Sequence, residues 1–471
     1  MNIVKKLRQC TNNEGSAIYF GSKRMDYQEF WSAVDAYTRE IQCHIKQRMI
    51  VMLLYKNPLN FLIAMFSILK IGAIAVPIKM PVTKYELQKI LDDNEASLLI
   101  YDDYNFVKEL IENDRISSIL EHQIGSILML NNNFSMCQDY PDQSIASINY
   151  TLCGLGRSVG CITTHENYWE GAVGHIGLIK PLAGEKMLVI PPAQHTFAFT
   201  TGVICTMVWG GSIVIPDSYF PSKLFSMICD IKVDAILGVP AIYLMFAKFA
   251  HLYSSKFTPR YCISGGSYLP AADGKKIFDS LGWDIIQGYG LTECLPVACN
   301  IPEKNRLGTL GKPGPGVQIV AKDKFGQQLP VGCYGELCVK YGTIMLGYYK
   351  ALEETRNTID SEGWLHTGDV GMLDQDGYII FKERLKRIAK VNGLSVDLKE
   401  IEQVVTKNTG ILANATAKFD FTTLNDNIEL VLNGELNGSD VERCKNIIFK
   451  LLSRYKWPKS IVIQKSELHT T

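Results

Sequence analysis

A large α/β lobe of layered parallel sheets, with a β-rich part and then a small α+β unit, is the fold class this sequence predicts. Three observations carry the prediction. Short apolar runs alternate with helix-periodic stretches through the first 290 or so residues. From about Gly311 to Tyr348 the rhythm changes to short strands with glycine turns. A distinct tail follows a boundary near Arg384-Leu385-Lys386.

The elements follow in order. Residues 27 to 46 place Phe30, Val34, Tyr37 and Ile41 at helical spacing. Ile50-Val51-Met52-Leu53-Leu54 reads as a buried strand, 59–70 as a helix, and Ala73-Ile74-Ala75-Val76-Pro77 and Leu98-Leu99-Ile100-Tyr101 as further strands. Asn131-Asn132-Asn133 signals a loop. Strands are expected at Met187–Ile190, Gly211–Ile215 and Ala235–Val239. Asp374-Gln375-Asp376-Gly377 reads as a hairpin turn. In the tail, a helix begins over Leu398–Glu402, Ile428–Leu432 is strand-like, and 439–455 is helical. These features divide the chain into residues 1–383 and 384–471, with a flexible joint between them as a hypothesis.

Composition narrows the class. With 471 residues, 47% hydrophobic and 20% charged, the chain has the make-up of a soluble enzyme of two or three domains. Lys+Arg and Asp+Glu are 48 each, which gives no support for wide electrostatic capture of nucleic acid. The thirteen cysteines are dispersed. Cys294/Cys299 and Cys333/Cys338 are too widely spaced for a close-paired zinc half-site, and Cys205 and Cys262 sit in apolar runs. A reducing, cytoplasmic setting is expected. Phe61–Leu69 is too short to span a bilayer and is interrupted by Lys70, so a buried helix is expected, with peripheral lipid contact left open.

The most informative run is Gln287-Gly288-Tyr289-Gly290-Leu291-Thr292-Glu293, after the apolar Gly282–Ile286. It reads as a strand entering a tight glycine loop. Glycines let backbone amides approach a ligand, threonine donates to a phosphate oxygen, and glutamate holds hydrated magnesium. On local chemistry alone, a nucleotide-phosphate site and an ordinary turn both remain open.

Other runs join it in a fixed order. They are Gly335-Glu336-Leu337, Trp364-Leu365-His366-Thr367-Gly368-Asp369 and Glu383-Arg384-Leu385-Lys386. With this ordered set the chain resembles the adenylate-forming superfamily, which includes acyl-CoA ligases, over nearly its whole length. The resemblance implies that ATP and a carboxylic acid, most simply a fatty acid, form an acyl adenylate. The acyl group then passes to the thiol of coenzyme A, or alternatively to the phosphopantetheine of an acyl carrier protein, as a small C-terminal domain rotates. A catalytically impaired acyl- or nucleotide-binding relative is the third reading.

The same resemblance implies residue roles. Glu293 holds Mg2+, and Thr292 contacts phosphate. Tyr289, between Gly288 and Gly290, borders adenine and the acyl pocket. Asp369 accepts from the ribose hydroxyls, although Thr367-Gly368-Asp369 taken alone reads as an Asx turn. Arg384 reaches the nucleotide, and Lys386 sits at the hinge. Gly265 and Gly266 flank adenine and acyl group. His195 lines the carboxylate pocket, where Ala193, Gln194, Thr196, Phe197 and Ala198 offer no carboxylate for a substrate ammonium. Lys390 and Gly393 belong to the segment that enters for thioester formation. Tyr455 and Lys456 are read as surface residues, with contact to a thiol carrier as the alternative.

Two departures stand out. Where the family's phosphate loop is rich in hydroxyls and ends in lysine, this chain has Tyr150-Thr151-Leu152-Cys153-Gly154-Leu155-Gly156-Arg157-Ser158-Val159-Gly160. Thr151, Gly154 and Gly156 are expected to line an amide turn around phosphate, with Arg157 replacing the charge lost at Val159. The resemblance also expects a late Gly-Lys pair beyond Pro458-Lys459, and no residue up to Thr471 takes that role.

Overall fold

The computed structural model describes residues 2–12, 15–94, 96, 98–110, 116–130, 144–152, 156–253, 257–385, 387–420 and 425–464. Gly154, Lys386, the Asn131–Asn133 loop signal and the last residues to Thr471 lie outside them.

Two large sheets carry the main body. In the seven-stranded sheet, Leu98–Tyr101, Ile50–Leu54, Ile74–Pro77 and Ile145–Leu152 run parallel in that spatial order. Ser158–Thr164 closes one side, antiparallel to Ile145–Leu152. In the nine-stranded sheet, Ile285–Leu291, Tyr261–Ser264, Ala235–Gly238, Lys186–Val189, Ser212–Ile215 and Ala17–Phe20 are parallel neighbours. Strands buried on both faces read as unbroken apolar runs, which is why their positions are legible in sequence.

Helices fill the space between the sheets. Pro58–Ile71 starts where the Asn57 side chain accepts from the amides of Leu59 and Asn60, and ends at Gly72 in the left-handed region. Its run Phe61–Leu69 is buried throughout, because Val51 and Leu53 of one sheet and Leu237 and Ile263 of the other share its core. No helix among the described residues is long and apolar enough to cross a membrane. The helix expected over 27–46 stops at Ile41, and the one over 439–455 stops at Leu451 before a short 3-10 turn, Arg454–Lys456.

The β-rich part is an antiparallel sheet of Gln318–Lys322, Gly335–Lys340, Leu365–Leu373 and Ile379–Arg384. The Asp374–Gly377 turn joins the last two, with the Gly377 amide donating to the Asp374 carbonyl at 3.0 Å.

Residues 388–464 hold a core of their own. A hairpin of Ile388–Val391 and Leu394–Asp397, helices Leu398–Thr409 and Gly438–Leu451, and a three-stranded sheet bury Ala389, Val396, Ile401, Leu430 and Ile448 together.

One local expectation is corrected. The glycine run is not a loop, because Ile285–Leu291 remains a strand through Gly288 and Gly290. Antiparallel pairing with Cys294–Cys299 extends the ladder past both glycines. Only Thr292 and Glu293 form the turn.

Candidate active site

The carboxyl ends of the parallel strands of both sheets open on one crevice, the usual ligand position in open α/β sheets. A cavity of about 210 Å³ lies there, bounded by the β-rich part and by residues 388–395.

Asp369 is held by two side chains in its wall. It follows Gly368 (φ 75°) inside Leu365–Leu373, where the Thr367 hydroxyl accepts from the Asp369 amide at 3.0 Å, so a local side-chain turn is present within the strand and does not replace the site role. Glu336 accepts from the Gly368 amide at 2.9 Å and contacts His366 Nδ1 at 2.9 Å, which fixes the strand here. Asp369 is 1% exposed. Its Oδ1 accepts from Arg384 Nε at 2.6 Å, and its Oδ2 from the Tyr289 hydroxyl at 2.8 Å. A carboxylate accepts about four hydrogen bonds, so lone pairs remain for a ligand. Burial and Asp369 hold Tyr289 well above the usual phenol range, so it stays a donor. Burial disfavours the Arg384 charge, but Asp369 outweighs it and keeps the guanidinium ionised.

Glu293, 6% exposed, occupies the turn after the glycine strand. Its Oε1 accepts from the Tyr348 hydroxyl at 2.7 Å, and its backbone carbonyl accepts from the Met345 amide at 2.8 Å. The strand Cys294–Cys299 follows it directly. Thr292 stands beside it on the cavity.

His195 precedes the π-helix Ala198–Ile204. The Phe197 amide donates to its Nδ1 at 3.3 Å, which leaves the ring hydrogen of a neutral imidazole on Nε2. Burial, then Lys79 and Lys390, hold its pKa well below normal. Gln194 is turned away, donating to the Tyr55 carbonyl at 3.1 Å.

The 388–397 hairpin enters the crevice where glycine is required. Gly393 has φ 78°, and a Cβ there would lie 2.6 Å from Val239. Across from it, Gly266 also has φ 78°, and a Cβ on it would be 3.5 Å from the Gly393 carbonyl. Two glycines thus let the hairpin tip reach the sheet. On Gly265 a Cβ would meet the Phe197 ring at 2.5 Å. Lys390, on this hairpin, donates to Ser395 Oγ at 2.7 Å. Burial first and Arg384 second push its pKa down to about 7, against the pull of Asp369 and Glu293.

The cavity therefore gathers Thr151, His195, Gly265, Gly266, Gly288, Tyr289, Gly290, Thr292, Glu293, Asp369, Arg384 and Lys390, with Gly393 packed behind Gly266. Two expectations are corrected. Arg157 is outside the lining and pairs with Glu354, with Asp93 at 3.9 Å, because those carboxylates flank the hairpin it sits on. The Gly156 amide is spent on Asp397 Oδ2 at 2.8 Å. Neither turns to the cavity.

Sequence reasoning missed two features. Lys79, just after Ile74–Pro77, faces the cavity and donates to the Tyr150 carbonyl at 2.7 Å. Its only signal was a lysine directly after a buried strand. Lys456, taken as a surface residue, is 4% exposed and joins Glu86 at 2.6 Å and Glu400 at 2.8 Å.

A parallel-sheet crevice with buried Asp369 held by half-buried Arg384 and Tyr289 on its wall is the arrangement that the resemblance to adenylate-forming enzymes implies. Residues 7–349 match the family described as AMP-binding enzyme, and the chain belongs to that family. It is 28% identical to a long-chain-fatty-acid–CoA ligase of Yersinia pestis over 416 residues, 78% of this chain and 73% of that protein. It is 26% identical to the long-chain-fatty-acid–CoA ligase FadD13 of Mycobacterium tuberculosis over 430 residues, 88% of this chain and 84% of that protein. A mutant of the amide bond synthetase McbA from Marinactinospora thermotolerans superposes with a TM-score of 0.86 at 19% identity, over 99% of this chain and 96% of that one. The chain is an acyl-CoA synthetase-like enzyme.

Proposed function

We propose that this chain uses ATP to activate a carboxylic acid as an acyl adenylate and then transfers the acyl group to the thiol of coenzyme A. The observation that carries the reading is Asp369, buried and held by Tyr289 and Arg384, on the same cavity as Thr292 and Glu293. Its open lone pairs suit a vicinal diol such as ribose. Arg384 and Lys390 supply positive charge against the phosphates and the developing acyl phosphate. Neutral His195 orients the acid's carboxylate by donating from Nε2.

Magnesium fits this chemistry. A single buried carboxylate beside a phosphate site is the usual protein contribution to a magnesium site, with phosphates and waters completing the shell. Glu293 would hold it, and the ion would neutralise phosphate charge.

The acid is proposed to be a fatty or aryl acid. Phe197, Leu295 and Pro296 give the cavity an apolar wall, and Ala193, Gln194, Thr196, Phe197 and Ala198 around His195 bring no carboxylate of their own for a substrate ammonium. The curated relatives named above are long-chain-fatty-acid–CoA ligases, which supports the fatty branch. Residues 384–471 are proposed to be a mobile unit. The present contact of Gly393 with Gly266 is the arrangement for thioester formation, and rotation about Lys386 would reopen the phosphate end for adenylation.

The test is a panel of carboxylic acids assayed for acid-dependent pyrophosphate release and for acyl-CoA. Both products from one acid are expected. Release of pyrophosphate, with thioester only on a holo carrier protein, moves the acceptor to carrier phosphopantetheine. ATP binding without turnover on any acid refutes the proposal.

A further inference from the structure

Cations lining the crevice are matched by carboxylates in two cases. Arg384 has Asp369, and Lys456 has Glu86 and Glu400. Lys79 has no such partner within ion-pair distance among the described residues. Its only protein hydrogen bond there is to the Tyr150 carbonyl, so two of its three N–H groups are unspent. The ammonium faces the cavity that also holds Glu293, His195 and Lys390. Burial pulls its pKa down, against smaller opposing contributions from Cys161 and Glu293. An ammonium held this way is costly unless an anion arrives.

The adjoining segment lacks a cation where one is needed. Tyr150 heads the stretch 150–160, whose Thr151 and Ser158 line the cavity. Val159, 1% exposed, pairs with Thr151 in the hairpin, and Arg157 is held by Glu354 outside the lining. Lys79 reaches this stretch from the neighbouring parallel strand, since Ile74–Pro77 lies beside Ile145–Leu152. Lysine is a compact point charge on a flexible stem, suited to phosphate oxygens.

We propose that Lys79 binds the terminal phosphates of ATP, and the pyrophosphate they become, supplying the cation that the 150–160 stretch does not turn to the cavity. This inference rests on the adenylation reading given above for its reaction but not for its binding.

Affinity for inorganic pyrophosphate and for ATP, measured by calorimetry on the full chain, tests it. Lys79→Met is expected to weaken both by tenfold or more and to raise the KM for ATP more than the KM for the acid. Lys79→Arg is expected to recover part of the loss. Arg157→Gln is expected to bind pyrophosphate within twofold of the unaltered chain. A folded Lys79→Met that binds pyrophosphate normally overturns the inference and leaves adenylation standing. A rise in acid KM alone also overturns it, because Lys79 would then serve the carboxylate. Pyrophosphate binding that depends on Lys79, in a protein that adenylates no acid, keeps the inference and removes the reading beneath it. Should Lys79→Met fail to fold, reductive methylation of the unaltered chain with and without pyrophosphate decides. Protection of Lys79 upholds the inference, and unchanged labelling overturns it.

Discussion

Asp369 and Lys456 are both buried charges beside one crevice, yet they are built in opposite ways. Asp369 is shared by Tyr289 and Arg384 and keeps lone pairs open to the cavity. Lys456 is enclosed by two carboxylates, Glu86 from the helix Lys84–Asn94 and Glu400 from Leu398–Thr409. Ser453 also donates to Glu86 through its amide, and Thr83 Oγ1 donates to the Leu451 carbonyl at 2.7 Å. The first cluster has spare valence and is suited to a ligand. The second is saturated and is suited to holding residues 388–464 against the main body. Burial opposes ionisation of Glu86, and Lys456 overrides it, so the contact is ionic.

The sharpest way to break this comparison is Asp369→Asn. The amide keeps the shape but removes the charge opposite Arg384, in a wall where an uncompensated buried charge costs roughly 3–5 kcal/mol. Adenylation, read as acid-dependent ATP–pyrophosphate exchange, is expected to fall by about a hundredfold or more. Normal exchange in this variant would mean that Asp369 only braces the sheet. Glu86→Gln probes the other cluster. Lys456 keeps Glu400, so both parts still fold, but their contact loosens. Acyl-CoA formation is expected to fall about tenfold while pyrophosphate release stays within about twofold, a loss near 1.4 kcal/mol. Equal loss of both steps would make the cluster a fold element rather than a clasp.

The two clusters were unequally legible in sequence. Strands buried on both faces leave continuous apolar runs, so Ile50–Leu54 and Leu98–Tyr101 were readable to the residue. Tyr289, Asp369 and Arg384 were named through ordered motifs, although their mutual bonds span 15 to 80 positions and only the fold supplies them. Glu86 and Lys456 carry no motif and meet across most of the chain, so the surface reading of Lys456 failed. Gly288 and Gly290 suggested a loop, because glycine propensity says nothing of the partner strand Cys294–Cys299. Arg157 looked like the replacement cation because spacing does not reveal Glu354, which lies nearly two hundred residues away.

Lys390 offers a smaller effect that sharpens the contrast, since it is a half-buried cation without the carboxylates that Lys456 has. Its folded pKa of about 7 lies below the ordinary 10.5, mainly because of burial. Between those values the unfolded chain binds more protons than the folded one, so stability rises as pH increases from about 7 to 10.5. Below about 7 the lysine is charged in both states and the contribution is flat. Lining the cavity, it keeps some solvent contact, so the span is discounted to about 2 kcal/mol. Denaturant unfolding of the unliganded protein at several pH values is expected to show that rise, and Lys390→Met is expected to flatten it by this amount while gaining stability at pH 7. If the substitution leaves the slope untouched, Lys390 is already compensated in the folded protein, and the distinction between saturated and open charge does not extend to the hairpin.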